Sequence, residues 1–242
     1  AVVSELETAG EDLAATCKAI GYGSLMGARG NSGVILSQIL WGLTQALAAR
    51  DAVDGPALAE GLVAAATGAY QAVGNPVEGT ILTVVREASE AAVARAAEDP
   101  ALLAVAEAAL AQGRDALART PDLLPVLKEA GVVDAGGTGL LLLLDALLHV
   151  ADGRPLPEPA AVPAGAVPVP AGAGAGDDHG HGGLADLRYE VMYLLEAPDE
   201  GIPGFRDVWA GIGDSIVVVG GDGLWNCHIH TDDIGAAVEA AI

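Results

Sequence analysis

From Val2 to Val150 apolar residues recur mostly at helical spacing, and only after Leu184 do they shift to short alternating runs. The first helix is predicted over Val2 to Ile20, where apolar positions interleave with Glu5, Glu7, Glu11, Asp12 and Lys18, and Gly21-Tyr22-Gly23 is expected to end it. The next, from Ser32 to about Ala49, carries Val34, Ile35, Ile39, Leu40, Leu43 and Leu47 on its apolar side. Asp54-Gly55-Pro56 breaks the chain, and Pro56 suits the first turn of a helix running to about Val73. Further helices are predicted over Ile81 to Ala97, from Pro100 to roughly Arg119, over Leu123 to Ala130 and over Leu140 to Val150.

Beyond Leu184 the pattern predicts a strand over Tyr189 to Leu195, a short helix over Phe205 to Ile212 and strands over Ser215 to Val219 and Leu224 to His230. A last helix runs from Ile234 to Ile242, capped by Asp232 or Asp233. The order β-α-β-β-α suffices for a small α/β sandwich. Between the two parts, Ala151 to Gly183 is rich in Pro, Ala and Gly and has no period, so it reads as a semi-extended, mobile linker, with His179 and His181 in its acidic tail. The expected organisation is thus a helical domain over 1–150, a linker over 151–183 and a partial α/β domain over 184–242.

Three of the predicted helices open from glycine-rich turns. Gly27-Ala28-Arg29-Gly30-Asn31-Ser32-Gly33 leads into the second, Gly74-Asn75-Pro76-Val77-Glu78-Gly79-Thr80 into the helix at Ile81, and Gly131 to Gly139 into the helix at Leu140. Glycines free the backbone so that several N–H groups can converge, and a helix start adds unpaired N–H groups and a positive pole. Such a place can receive an anion, most plausibly phosphate. It is neither a Walker A loop, lacking the Lys-Ser/Thr ending, nor a strand-bound dinucleotide fingerprint. The competing reading is structural: Asn31 or Ser32, Thr80 and Asp134 cap their helices and the glycines form tight turns.

Composition narrows the classes. Hydrophobic residues make up 52% and aromatics only 3%, so the core is packed with Ala, Leu and Val, which lets helices approach closely. A net charge of -22 disfavours nucleic acid and anionic membranes as partners, while a local pocket can still hold nucleotide phosphate. Cys17 and Cys227 are no disulfide framework, no charged n-region precedes an apolar h-region, and the densest apolar run, Leu140 to Leu144, stops at Asp145. Cytoplasmic location without stable membrane insertion is the resulting expectation.

On the alternating strand Leu224 to His230, His228 and His230 share one face and Cys227 takes the other. Two imidazoles fall short of a metal site, and Glu190 on a neighbouring strand is the candidate third ligand.

The runs Gly27 to Gln38, Asn75 to Arg86 and Gly131 to Leu140 resemble the kinase domain of bacterial fatty acid kinase, itself similar to the ATP-binding L subunit of dihydroxyacetone kinase. The stretch Gly213-Asp214-Ser215 to His228-Ile229-His230-Thr231 resembles the middle domain of the same kinase. The resemblance implies an all-α helical barrel whose loops hold ATP, followed by the small α/β domain. It implies that Gly30, Asn31, Ser32 and Gly33 embrace the phosphates, that Gly79 and Thr80 form a second wall, and that Asp134, Gly136 and Gly137 complete the nucleotide site. No catalytic residue is assigned.

The implied reaction is transfer of the γ-phosphoryl group to a fatty acid carboxylate held by a separate fatty-acid-binding protein; the resemblance also leaves room for a homodimer. Glycerone or another small ketone is the alternative acceptor, and a non-catalytic nucleotide-binding or scaffold protein is the non-enzyme alternative. The family holds magnesium on an aspartate-rich loop to which nothing here corresponds, so the chain is expected to be a fragment, lacking the barrel's first helix and truncated at both ends. The family's zinc site pairs two strand histidines with a cysteine whose place Glu190 takes here. Glu190, His228 and His230 are therefore the expected zinc ligands.

Overall fold

The computed structural model describes residues 1–10, 12–73, 76–158, 187–221 and 223–242. Most of the predicted linker, His179 and His181, Glu11, and Gly74-Asn75 of the second turn lie outside the described residues. The described residues fall into two compact units, one drawn from Ala1–Gly27, Leu36–Gln71 and Pro76–Ala160, the other from Ala28–Ile35, Ala72–Asn75 and Ala161–Ile242.

The helical part runs α1 (Val2–Thr8), α2 (Leu13–Gly27), α3 (Gly30–Leu47), α4 (Gly55–Ala72), α5 (Ile81–Glu98), α6 (Leu102–Ala118), α7 (Thr120–Leu123), α8 (Pro125–Ala130) and α9 (Ala135–Asp152). The helix-then-sheet order follows the hydrophobic pattern, but several boundaries differ. The single N-terminal helix is two, and α2 continues through Gly21 and Gly23. Those glycines are contact points rather than stops: a Cβ on Gly21 would lie 2.9 Å from the Trp41 ring and one on Gly23 2.8 Å from the Val2 backbone. The short α7 is additional. The last helix starts five residues before Leu140, so Gly136, Gly137 and Gly139 are helical rather than part of a turn.

Small residues do what composition implies. Ala88 and Ala92 of α5 and Val105, Ala106 and Ala109 of α6 are fully or almost fully buried, and α5, α6 and α9 pack on one another. By length and composition α9 could cross a membrane. Its Leu140, Leu141, Leu144 and Leu148 are nevertheless buried, and Asp145 accepts a 2.7 Å bond from Arg114.

The other unit contains β1 (Tyr189–Glu196), α10 (Ile202–Ala210), β2 (Gly213–Gly221), β3 (Leu224–Thr231) and α11 (Ile234–Glu239). Its antiparallel sheet has the order β1-β3-β2. Val191, Leu195, Val218, Cys227 and Ile229 from the strands pack with Ile202, Phe205 and Trp209 of α10 and Ala237 of α11. Tyr193 and Trp209 both donate to the Ala237 carbonyl, at 2.9 and 3.0 Å, which ties α11 to the sheet and to α10.

Candidate functional site

The second and third glycine-rich turns meet. Asp134 stands just before α9, and its Oδ2 accepts the Gly137 N–H at 2.6 Å; the carboxylate also lies near enough to the backbone N–H of Ile81, the first residue of α5, to feel its pull. One side chain therefore caps α9 and stands beside the start of α5. Burial pushes the Asp134 carboxyl above its ordinary range, against the pull of the Gly137 and Ile81 amides. The helices can come this close because Gly137 has no side chain: a Cβ there would sit 2.8 Å from Val84 of α5. A Cβ on Gly136 would be 3.3 Å from Ile81. The Asp134 N–H is held in turn by the fully buried Thr120 hydroxyl at 3.1 Å.

The loop before α5 is tied down by a polar cluster that the sequence pattern does not reveal. Thr80 caps α5, accepting from Leu82 N at 3.3 Å and donating to the Val77 carbonyl at 2.8 Å. The Gly79 N–H donates to Thr83 Oγ1 at 2.8 Å, and Thr83 donates to Glu78 Oε2 at 2.5 Å. Glu78 also accepts from the Tyr70 hydroxyl at 2.8 Å and from Arg86 at 3.1 Å. Arg86 reaches Tyr70 and Glu90 as well, both at 3.2 Å. Burial works to raise the Glu78 carboxyl, but the bonds from Thr83, Tyr70 and Arg86 outweigh it and hold it below its ordinary range. The one signal in the sequence is that Glu78 and Arg86 are opposite charges flanking the start of α5 at Ile81.

The first turn belongs to the other unit. Gly30 opens α3 with φ +59°, where a side chain would be strained, and nothing lies within 4 Å of the position a Cβ would take. Asn31 follows, and its Oδ1 is buried without a hydrogen-bond partner among the described residues. A buried amide oxygen left bare costs about 1–3 kcal/mol, so this atom stands ready for a partner beyond the described residues. Ser32 is exposed and Gly33 half-buried beside Ala28. The structure thus places Thr80 and Asp134 in capping positions and joins their turns, while Asn31 makes no such cap bond. An apolar groove of about 410 Å³ between α4 and α5, lined by Ala59, Val63, Ala64, Val93 and Ala96 among others, contains none of the predicted site residues.

On the sheet, Glu190 of β1 pairs directly with His230 of β3, and His228 stands two positions along the same face. One donor atom from each lies within 4.8 Å of the others, and His228 Nδ1 is 3.1 Å from Glu190 Oε1. Cys227 faces the opposite way, into the core with Trp209, and burial pushes its thiol up to about 12. The β1–β3 pairing runs without a register shift, so no bulge turns Cys227 toward the histidines.

Residues 1–149 match the family model described as DAK2 domain. The chain belongs to the DAK2-domain family. Residues 186–242 match a second model, described as a fatty-acid-kinase-like middle domain. Both matches are to kinase-type domains, and the DAK2 domain implies use of a nucleotide. Protein YloV of Bacillus subtilis is similar at 35% identity over 247 residues, which span 99% of this chain and 44% of YloV. Protein SH1689 of Staphylococcus haemolyticus is 36% identical over 229 residues, 90% of this chain and 40% of that protein. Protein SAB1090 of Staphylococcus aureus is 44% identical over 137 residues, 57% of this chain and 25% of its own length. The chain spans less than half the length of these relatives.

Proposed function

We propose that this chain is the nucleotide-binding part of an ATP-dependent kinase that phosphorylates a fatty acid carboxylate presented by a separate fatty-acid-binding protein. What carries the reading is the joining of a DAK2 domain to a fatty-acid-kinase-type middle domain in one chain. A dihydroxyacetone kinase would need only the first. In the reaction a carboxylate oxygen bonds to the γ-phosphorus, the bond from that phosphorus to the β–γ bridging oxygen breaks, and ADP leaves with the electron pair. The product is an acyl phosphate. The protein's task is alignment and stabilisation of negative charge.

Gly30 to Gly33 hold the phosphates on this reading. The bare Asn31 amide supports it, since a flip of that group exchanges its acceptor for a donor facing the same space. The resemblance also assigns Gly79, Thr80, Asp134, Gly136 and Gly137 to nucleotide binding, and Thr80 and Asp134 stand at the starts of α5 and α9. Magnesium does not fit these turns as described, because the one carboxylate at the α9 entrance, Asp134, is engaged in capping α9 through the Gly137 N–H and no second carboxylate stands beside it there, in the first turn of α9.

Titration with ATP tests the proposal. The chain is expected to bind ATP saturably, and Asn31→Ala to weaken binding about tenfold, the worth of one hydrogen bond to a charged group, with unchanged circular dichroism. Unfolding of the Asn31→Ala protein would instead make Asn31 a structural residue. Absence of ATP binding, both by this chain and by a version carrying the aspartate-rich loop of the family, would overturn the reading. Phosphorylation of dihydroxyacetone in place of carrier-bound fatty acid would replace the acceptor, and ATP binding with transfer to neither would leave a nucleotide-binding scaffold.

A further inference from the structure

The short helix α7 lies between the second and third turns and touches both. Gly79 stands against its end: φ is +85°, and a Cβ there would lie 2.9 Å from the Cβ atoms of both Leu123 and Leu124. At its start the Thr120 hydroxyl donates to the Leu117 carbonyl at 2.7 Å and accepts the Asp134 N–H at 3.1 Å. The helix is anchored from α5. Glu87, with its side chain only 13% exposed, accepts from Arg119 at 2.5 Å and from Gln112 of α6 at 2.8 Å. Arg119 closes α6 and immediately precedes α7, so its guanidinium on Glu87 fixes where α7 begins. The other Glu87 oxygen is 3.9 Å from Arg86, which also binds Glu78 in the loop before α5.

We propose that α7 is the spacer that sets the second turn against the third, and that Glu87 is the positioning residue that holds it, so that nucleotide binding depends on a carboxylate outside the three turns. The link to nucleotide rests on the reading given above; the coupling of the two turns does not. A four-residue helix has no stability of its own and takes its place from its anchors. Glu87 suits that part for a physical reason. Arg119 and Arg86 are 49% and 37% exposed, so water takes over their charges when the carboxylate is removed, and ion pairs this open add little to stability. What the carboxylate adds is direction, because the charge-assisted bond from Arg119 and the bond from Gln112 hold the end of α6 in one place. Displacing α7 shifts the Gly79 backbone through Leu123 and Leu124 and frees the Asp134 amide from Thr120. A binding site whose two walls lose their spacing loses affinity steeply.

Hydrogen exchange at the Gly79 and Asp134 amides, followed by NMR without nucleotide, and ATP titration of the same full-length proteins test the two parts separately. Glu87→Ala is expected to speed exchange at both amides and to weaken ATP binding about tenfold, with circular dichroism unchanged. Thr120→Val is expected to speed exchange at Asp134 and to weaken ATP binding, and Thr120→Ser, which keeps the hydroxyl, to restore both. Glu90→Ala removes another partner of Arg86 and is expected to change neither. Unchanged exchange at Gly79 and Asp134 in Glu87→Ala would overturn the proposal, as would loss of its folded signal, equal effects of Glu90→Ala, or ATP binding of unaltered strength in Glu87→Ala. Absence of ATP binding by the unaltered chain would instead overturn the nucleotide reading, and the exchange rates would then decide by themselves whether α7 is the spacer.

Discussion

Asp134 and Glu78 are neighbours in function at the joined helix starts, yet their carboxyls respond to pH in opposite senses. Asp134 is raised by burial, so the folded chain holds its proton more tightly than the unfolded one. Its contribution therefore falls as pH rises from the ordinary aspartate value through the folded one. Glu78 is held low, so its contribution is present above the ordinary glutamate value and is lost as pH falls through the folded one. Glu78→Gln is expected to flatten the loss of stability below about pH 4.3, seen as a smaller change in unfolding midpoint with acidification. Asp134→Ala removes the partner of the Gly137 amide and is expected to cost about 1–2 kcal/mol in urea unfolding, with Asp134→Asn costing less because an amide oxygen still caps α9. The residue types at these positions were legible in the sequence as cap or ligand candidates. That Asp134 would come to stand beside Ile81 was not, because the two are distant in the chain.

At the scale of elements, the glycines of the third turn separate into two kinds. Gly137 sits where α9 crosses α5, and its alanine variant brings a Cβ to 2.8 Å from Val84. Gly137→Ala is expected to destabilise by about 1–3 kcal/mol. Gly139, in the same helix, has nothing within 4 Å of its Cβ position, so Gly139→Ala is expected to stabilise by about 0.5–1 kcal/mol through helix propensity alone. Paired urea-unfolding curves check both signs. Density of glycine suggested a loop because propensity is a local quantity; the helix forms anyway because Asp134 caps it and its apolar face is buried. The loop before α5 depends in a similar way on Glu78. Since Thr83 relays its carboxylate to the Gly79 amide, Glu78→Gln should weaken ATP binding more than it lowers the unfolding midpoint, if Gly79 and Thr80 line the nucleotide site as proposed.

For the molecule as a whole, charge and linkage dominate. With a net charge of -22 the folded chain repels itself, and added salt is expected to raise its unfolding temperature by screening. The proposed division into 1–150, 151–183 and 184–242 makes a different prediction. Elastase, which cuts beside small aliphatic residues, is expected to cleave first within the Ala- and Val-rich stretch 160–173, with helix and sheet signals kept. First cleavage inside α4 or β3 would contradict those boundaries.

The sequence by itself determined the order of helices and strands, the burial of small aliphatic residues, the shared face of His228 and His230 and the family. Each of these is a matter of local period or of motif. Only the tertiary structure decided that Asp134, the cap of α9, stands beside the start of α5, that Gly136 and Gly137 lie within α9, and that Glu190 stands opposite His230 while Cys227 turns into the core. These are relations between segments far apart in the chain. Strand register and helix crossing set them, and both follow from packing over the whole unit.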